Sequence, residues 1–356
     1  MTTGSRRFGI PPSTAREQVQ KVQETYPSEA FQPLPAPTGQ PPFRVTSAEL
    51  GIPLADGPRV LHVIGDSGGV ADPNPQIAVV NAMIADLVTN PQTAFAWHVG
   101  DIAYYDGEWA AWLVQYFEAY AHYNRTIVGH GGNHDFDPLP GSVSGAEWMR
   151  VMCSESPILL AGTEEYQRTT QTIPNVYFTL LDPAVTIIGL YSNVPSGGVI
   201  KPDQAEWLQG ELENAPKDLP LIVSLHHPPM SVDAHHGGSA LMGQVLDTAF
   251  ESANRWPTLV LSGHVHDYQR FTRVVPNGQV MTYIVIGNSG YRNLHTFAPG
   301  ATPGTPVANG VTFQYGDDSH WGFLRLTIVG PDIRGEYIQV AKDGTVTPNA
   351  DTFSIQ

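Results

Sequence analysis

Short apolar runs that stop at glycine or at a polar cluster recur along the chain from Arg59 onward. Each run is rich in β-branched or aromatic residues, which is typical of a strand buried on both faces. Between most of the runs, apolar residues return every three to four positions, as on one face of a helix. The strand-like runs are RVLHVIG, AFAWHVG, RTIVGHG, LIVSLHH and TLVLSGH.

This alternation of strand-like and helical segments predicts an α/β domain. The predicted helices are PQIAVVNAMIADLV, EWAAWLVQYFEAYAHY and PDQAEWLQGELEN. Beyond Val280 the pattern becomes rich in strands, and one pair of them is separated by a DG turn. The segments MTYIVIG, FLRLTIV and EYIQVAKDGTVT therefore predict a second sheet with mainly antiparallel pairing.

Residues 1–57 are rich in Pro, Gln and Thr and show no sustained periodicity, apart from a short predicted helix near Ala15 to Tyr26. Segments of this composition are typical of extended chain. We interpret residues 1–57 as a Pro-rich N-terminal arm and residues 58–356 as the main domain.

Charge and cysteine content narrow the classes of function. A formal net charge of −16 disfavours sequence-independent nucleic-acid binding, which needs Lys and Arg to displace counterions from phosphates. An anionic substrate would need a local positive charge, which bound metal ions can supply. The single cysteine, Cys153, excludes an intrachain disulfide and a cysteine-based zinc cluster.

Neither a signal peptide nor a membrane span is recognisable in the sequence. The first residues lack an apolar core, and no run approaches the roughly 18 apolar residues of a spanning helix. The sequence as written predicts a cytoplasmic protein that does not bind membranes. A chain from which a leader had been removed would look the same and would be secreted.

A polar group follows each of the five strand-like runs. In open α/β sheets the ligand crevice lies beyond the carboxyl ends of the strands, so five separate segments would deliver these residues to one place. The residues are Asp66, Asp101, Tyr104, Asn133, His226, His264 and His266.

These residue types match metal ions that prefer oxygen and nitrogen ligands, because thiolate is absent. One ion would not use so many ligands, whereas two ions bridged by one carboxylate would. Asp101, central among the runs, is the predicted bridge. Alternation along an extended chain would put His264 and His266 on one face. Taken singly, a Gly-Asp pair after a strand is more often a turn or a helix cap, so the hypothesis depends on the whole set.

The polar residues fall into the motifs DxG at Asp66 to Gly68, GDxxY at Gly100 to Tyr104, GNHD at Gly132 to Asp135, VxxH at Val223 to His226 and GHxH at Gly263 to His266. This set resembles that of the purple acid phosphatases within the calcineurin-like metallophosphoesterases. The resemblance extends from about Arg59 to the C-terminus and implies that residues 58–356 are a metallophosphoesterase catalytic domain. It implies a four-layer α/β fold in which two mixed β-sheets pack face to face between helices. Residues 1–57 do not resemble the plant-type amino-terminal β-domain of the family, which leaves dimerisation and the oligomeric state open.

The resemblance implies that Asp66, Asp101, Tyr104 and His266 hold one metal, and that Asp101, Asn133, His226 and His264 hold the other. In other branches of the superfamily the first motif is DxH, with a histidine where this chain has Gly68, and a phenolate at the position of Tyr104 is lacking. Relative to those branches, this chain has exchanged a neutral histidine ligand for an anionic phenolate. With three anionic ligands and a bridging hydroxide, two divalent ions leave no net charge, whereas a trivalent and a divalent ion leave +1. Iron(III) beside iron(II), zinc or manganese is the predicted cofactor.

The implied activity is hydrolysis of phosphate monoesters on a small phosphorylated substrate, by a metal-bound hydroxide. His134 resembles the family's substrate-facing histidine, with Asp106 as a candidate to orient it. His235 and His236 fall where the family carries a substrate-contacting pair. The alternatives are a phosphodiesterase or nucleotide hydrolase of the same superfamily, and a non-catalytic binding protein on the same fold.

Overall fold

The computed structural model describes residues 35–54, 56–136, 144–192, 198–308 and 310–356. A short 3₁₀ turn covers Glu164–Tyr166. The helices are α1 (Asn74–Thr89), α2 (Trp109–Trp112, continued as a π-helix over Leu113–Glu118), α3 (Ala146–Met152), α4 (Pro202–Asn214) and α5 (Ala240–Ser252). The strands are β1 (Arg44–Thr46), β2 (Arg59–Ile64), β3 (Thr93–His98), β4 (Thr126–Gly129), β5 (Phe178–Asp182), β6 (Val185–Gly189), β7 (Leu221–Ser224), β8 (Leu259–Ser262), β9 (Tyr268–Val274), β10 (Val280–Ile286), β11 (Pro306–Ala308), β12 (Val311–Asp317), β13 (Trp321–Val329), β14 (Asp332–Val340) and β15 (Val346–Ile355).

The strands form two mixed sheets. The larger sheet has the order β1-β5-β6-β7-β8-β10-β9-β12-β11, and the smaller has the order β15-β14-β13-β2-β3-β4. Strands β2, β3 and β4 run parallel to one another, as do β6, β7 and β8. Antiparallel pairs join β9 to β10 in the larger sheet and β13 to β14 and β14 to β15 in the smaller sheet.

The core consists of two clusters, one on each face of the larger sheet, because successive side chains of a strand point to opposite faces. Ile187 and Ile222 join the cluster that contains the side chains of β2 and β3, so this face packs against the smaller sheet. The neighbouring Ile188 and Val223 join the cluster that contains α4 and α5. Helix α1 packs with the first cluster through Val79. The layers confirm the predicted fold of two mixed sheets with flanking helices.

The five strand-like runs form β2, β3, β4, β7 and β8, which confirms the predicted strands. Every residue of β2 and β3 is buried. The segment PDQAEWLQGELEN forms α4 over the predicted residues. Across the described residues, no helix is both long and apolar enough to cross a membrane.

The prediction that the strands after Val280 form a second sheet of their own is wrong, because they are divided between the two sheets. Strand β10 lies inside the larger sheet, parallel to β8. Strands β13 to β15 instead extend the smaller sheet, because β13 pairs antiparallel with β2. The sequence pattern identified these strands, but pairing partners depend on contacts between distant segments that periodicity does not encode.

Part of the predicted N-terminal arm contributes to the larger sheet. Residues 44–46 form β1, which pairs parallel with β5. Phe43, Val45 and Ile52 are buried in the main core cluster. The helix predicted near Ala15 lies outside the described residues, and the division of the chain at residue 57 stays a prediction.

Candidate metal centre

The polar residues of the five motifs come together at one end of the two packed sheets. Strands β2, β3 and β4 of the smaller sheet deliver the first three motifs at their carboxyl ends. Strands β7 and β8 of the larger sheet deliver the last two at theirs. Because both sheets present carboxyl ends at this edge, all seven predicted ligands can meet between them.

One group of ligands gathers around the side-chain oxygen of Asn133. That Oδ1 atom lies 3.1 Å from Nε2 of His226 and 3.1 Å from Nδ1 of His264. Asp101 joins them, with its Oδ2 atom 3.3 Å from Nε2 of His226. One ligand atom from each of Asp101, His226 and His264 lies within 4.8 Å of the others, which is compact enough for one metal ion.

A second group gathers around the phenol of Tyr104. Its hydroxyl oxygen lies 3.2 Å from Oδ1 of Asp66 and 3.1 Å from Oδ2 of Asp101. Nε2 of His266 lies 3.4 Å from the same hydroxyl and 3.5 Å from Oδ1 of Asp66. The Oδ2 atom of Asp101 therefore touches both groups, as a bridging carboxylate would.

Backbone carbonyls orient two of the imidazole rings. Nδ1 of His226 lies 2.9 Å from the carbonyl oxygen of Val99, and Nδ1 of His266 lies 3.1 Å from that of Asn293. With the proton on Nδ1 in each bond, Nε2 keeps its lone pair and points into the site. Metal-binding histidines in proteins are usually held in this way.

Three of the predicted ligands have left-handed backbone conformations. The φ angles are 51° at Asp66, 59° at Asp101 and 67° at His264. Such residues are uncommon outside glycine and concentrate at functional sites. The left-handed turn at His264 also shows that the extended alternation predicted for GHVH is wrong, although both histidines do point into the site.

Gly68 leaves room for the phenol. A Cβ atom at this position would lie 2.6 Å from Cδ2 of Tyr104 and 2.1 Å from Oε1 of Gln115. The amide of Gln115 in turn accepts from the backbone N–H of Tyr104 at 3.0 Å. A histidine at position 68 would therefore collide with the phenol of Tyr104 and the amide of Gln115.

The buried carboxylates favour positive charge in the site. Burial raises the pKa of Asp101, but His226 and His134 outweigh it and hold that pKa well below its usual range. Burial lowers the pKa of His226, yet Asp101 and Asp66 raise it to about 9. For Tyr104, burial first and then the charges of Asp101 and Asp66 raise the pKa well above its ordinary value.

The donor set fits a pair of metal ions. The converging atoms are carboxylate oxygens, an amide oxygen, a phenol oxygen and imidazole nitrogens, which suit oxygen- and nitrogen-preferring metals. Asp66 and Asp101 are both buried, so water cannot offset the charge of their carboxylates. Buried carboxylates that face one another in this way are normally paired or bound to metal.

The predicted substrate-contacting residues line the mouth of this site. The backbone N–H of His134 donates to Oδ1 of Asp101 at 2.9 Å, and Nδ1 of its ring lies 2.7 Å from the carbonyl of Tyr105. That carbonyl orients the ring, and the role of the half-buried Asp106 stays a prediction. The exposed ring of His236 stacks on His264 at 4.6 Å.

Asp135 is a functional residue that the sequence reasoning missed, although it is the last residue of the GNHD motif. Its carboxylate accepts four backbone N–H bonds of 2.9–3.0 Å. The donors are Asp101, Ile102, Ala103 and Gly132. Asp135 thus ties the GDxxY loop to the GNHD loop.

The segment after β10 also contributes to the site, and no motif marked it. The ring of His295 lies 4.4 Å from that of His266 and 4.7 Å from that of His236. Its Nδ1 atom lies 3.4 Å from Oδ2 of Asp233. The same oxygen accepts from the backbone N–H groups of His235 at 3.1 Å and His236 at 2.7 Å. Asp233 therefore fixes the loop that carries the two rim histidines.

The remaining notable polar residues have structural partners. His62 lies 2.9 Å from Asp86, and His98 lies 2.8 Å from the hydroxyl of Ser67, so both are hydrogen-bonded core histidines. His227 is buried, with its Nδ1 atom 3.0 Å from the hydroxyl of Ser192. Arg270 forms ion pairs of 2.7 and 2.8 Å with Asp351.

Comparison with known proteins agrees with the family that the motifs resemble. The family model for calcineurin-like phosphoesterases matches residues 60–268. Purple acid phosphatase 22 of Arabidopsis thaliana is 25% identical over 252 residues, which cover 67% of this chain and 52% of that protein. The chain thus spans about half the length of this relative.

Two solved structures share the fold at low sequence identity. Purple acid phosphatase PPD1 from yellow lupin seeds has a TM-score of 0.63 at 16% identity, and the match covers 85% of this chain and 54% of that one. GAP50, described as the anchor in the inner membrane complex of Plasmodium, has a TM-score of 0.56 at 15% identity. That match covers 84% of this chain and 89% of GAP50.

Proposed function

Since this chain belongs to the calcineurin-like phosphoesterase family, we propose that it is a hydrolase of phosphate monoesters with a pair of metal ions, of the purple acid phosphatase type. The single observation that carries the proposal is the position of Asp101, whose Oδ2 atom lies 3.1 Å from the hydroxyl of Tyr104 and 3.3 Å from Nε2 of His226. One carboxylate oxygen therefore lies beside both groups of proposed ligand atoms, which supports two metal ions bridged by Asp101.

In this proposal the first metal ion is held by Asp66, Asp101, Tyr104 and His266. The second is held by Asp101, Asn133, His226 and His264. When bound, iron(III) beside a divalent iron, zinc or manganese ion would offset the charge of the phosphate and lower the pKa of water enough to supply the nucleophile below neutrality.

The protein contributes positioning and proton transfer. His134 is fixed through both its backbone N–H and its Nδ1 atom, which leaves Nε2 directed away from Tyr105. From there, a protonated ring can donate to the leaving oxygen as the ester bond breaks. No nucleophilic side chain is required.

The rim histidines complete the phosphate site. Partial burial of the ring, followed by the neighbouring His295 and His266, lowers the pKa of His236. A neutral imidazole in this position donates one hydrogen bond to a phosphate oxygen. His235 lies beside it on the loop that Asp233 holds, so both can contact the substrate together.

We expect phosphate monoesters to be hydrolysed faster than diesters, with an optimum on the acidic side of neutrality. A monoester dianion presents one more negative charge to the cationic site than a diester does, and a trivalent ion keeps the nucleophile available in acid. The measurement is kcat/KM for an aryl monoester and the matching diester from pH 4 to 9, on enzyme loaded with metal.

Faster diester turnover with an alkaline optimum would contradict the proposal and favour the phosphodiesterase alternative. Absence of turnover for both esters, in protein that retains its metals, would favour a non-catalytic binding role. The similarity of fold to GAP50 makes this second outcome worth testing, because a shared fold does not fix function.

A further inference from the structure

A fully buried glutamine lies behind the loop that carries the two rim histidines. Gln269 belongs to β9, an inner strand of the larger sheet, and its side chain has no exposure to solvent. Successive side chains of a strand point to opposite faces, and the neighbouring Tyr268 packs into the core between the two sheets. Gln269 therefore points the other way, toward residues 231–236, which we call the rim loop.

The amide of Gln269 is hydrogen-bonded to the beginning of the rim loop. Its Oε1 atom accepts from the backbone N–H of Val232 at 2.8 Å, and its Nε2 atom donates to Oγ of Ser231 at 2.8 Å. Nε2 also donates to Oδ1 of the buried Asp267 at 2.8 Å. Because the backbone of β9 already pairs with β10 and β12, the side chain adds a separate connection from the sheet to the loop.

The hydrogen bonds continue from this amide to both rim histidines. Oγ of Ser231 accepts from the backbone N–H of Asp233 at 2.9 Å. The carboxylate of Asp233 accepts from the backbone N–H groups of His235 at 3.1 Å and His236 at 2.7 Å. An unbroken chain of hydrogen bonds therefore runs from Gln269, at the sheet, to the two histidines at the mouth of the site.

The backbone of the rim loop decides where the two imidazole rings lie. His235 and His236 are both exposed, so the protein holds them through the loop more than by packing around their rings. The ring of His236 nevertheless lies 4.6 Å from that of His264, a proposed metal ligand. A displacement of about 1 Å is enough to weaken a contact that depends on position. A loop that lost its connection to the sheet would therefore place the rings poorly for a phosphate at the metal centre.

We propose that Gln269 is a positioning residue for phosphate binding, which holds His235 and His236 beside the metal centre through the rim loop. This inference rests on the proposed phosphatase function. The imidazoles contact the phosphate, and the buried amide acts only through them. A side chain that served the fold alone would change stability and leave the affinity of the folded protein for phosphate esters as it is.

The first test is Gln269→Met, which keeps the length of the side chain and removes its three hydrogen bonds. We expect KM for phenyl phosphate to rise about tenfold while kcat stays within about twofold, because the rim histidines contact the phosphate equally in the ground and transition states. Metal content should be unchanged, since the amide bonds to Val232, Ser231 and Asp267, and none of these is a proposed ligand.

Tyr268→Phe is the matched control, because it removes a buried hydrogen bond of 3.0 Å to Asp351 from the opposite face of the same strand. We expect it to lower the melting temperature and to leave KM unchanged. An equal rise of KM in both variants would overturn the proposal in favour of a general loss of stability. Should Gln269→Met fail to fold, Ser231→Ala breaks the same chain at a half-buried position, and we expect it to raise KM about threefold. An unchanged KM in that variant would also overturn the proposal.

A double-mutant cycle tests whether the effect passes through the histidines. In a chain that carries both His235→Ala and His236→Ala, the addition of Gln269→Met should change KM by less than about twofold, because the rings that it positions are gone. A further rise of about tenfold in that background would mean that Gln269 acts on phosphate binding by another route, and would contradict the proposal.

Hydrogen exchange gives a readout that does not depend on turnover. The backbone amides of His235 and His236 should exchange about tenfold faster in Gln269→Met than in wild type, and at the wild-type rate in Tyr268→Phe. If wild-type enzyme hydrolyses phenyl phosphate but Gln269→Met changes neither KM nor exchange, the positioning role is wrong and the phosphatase function stands. If wild-type enzyme hydrolyses no phosphate ester, the proposed function fails, and exchange alone then decides the role of Gln269. Equal rates in wild type and Gln269→Met would overturn it, and faster rates in the variant would support it.

Discussion

Asp101→Asn should lower kcat/KM by about a thousandfold and reduce the bound metal to less than half of the wild-type content. The substitution keeps the shape of the side chain but removes the charge of the carboxylate that borders both ligand groups. A metal ion contributes several kcal/mol to stabilising charge in the transition state, and each 1.4 kcal/mol is tenfold in rate. The measurements are steady-state kinetics and metal content on the same preparation.

Asp182→Asn is the matched control, because Asp182 is also a buried carboxylate but lies beside Arg59 at the opposite end of β2. We expect it to lower the melting temperature, since it leaves a buried arginine without its partner, and to keep the metals. Equal metal loss in both variants would mean that Asp101→Asn loses metal only because the fold is less stable. Full activity of Asp101→Asn would exclude a bridging role.

Tyr104→Phe should abolish the visible tyrosinate-to-iron absorption that the family resemblance implies, and should weaken binding of the trivalent ion. The phenylalanine ring can keep its stacking on Tyr291 while the hydroxyl near Asp66 and Asp101 is lost. Without that oxygen the site carries one anion fewer, so a trivalent ion is less well compensated. The ligand group around Asn133 is untouched and should retain its ion.

Tyr291→Phe provides the control for colour, because it removes a neighbouring hydroxyl and leaves the phenol of Tyr104 in place. We expect its visible spectrum to match that of wild type. An iron-loaded wild-type protein without a visible band, or a Tyr104→Phe protein that keeps the band, would refute the assignment of Tyr104.

Strands could be predicted from the sequence where the apolar pattern of a segment matches its buried position in the fold. The runs that became β2 and β3 are apolar along their whole length because each lies between neighbouring strands and packed layers. The place of β13 beside β2 was not predictable, since that pairing joins segments more than 250 residues apart in sequence. Likewise β1 comes from a proline-rich stretch whose few apolar residues show no period.

The sequence predicted the residues that converge at the candidate site, but not the residues that hold them in place. Glycine and polar residues after successive strands identified the seven converging side chains, and the convergence follows from strand direction alone. Asp135 acts by accepting backbone N–H bonds, which leaves no signal beyond its place in GNHD. His295 and Asn293 reach the site only because the chain after β10 folds back beside His266.

We propose that this chain holds two metal ions, one of them iron, and uses them to hydrolyse phosphate esters. Elemental analysis of protein expressed in its own host tests it most directly when combined with aryl phosphate turnover on the same sample. We expect about two metals per chain, including iron, with activity that falls on chelation and returns on reloading. One metal or none in fully active protein would contradict it.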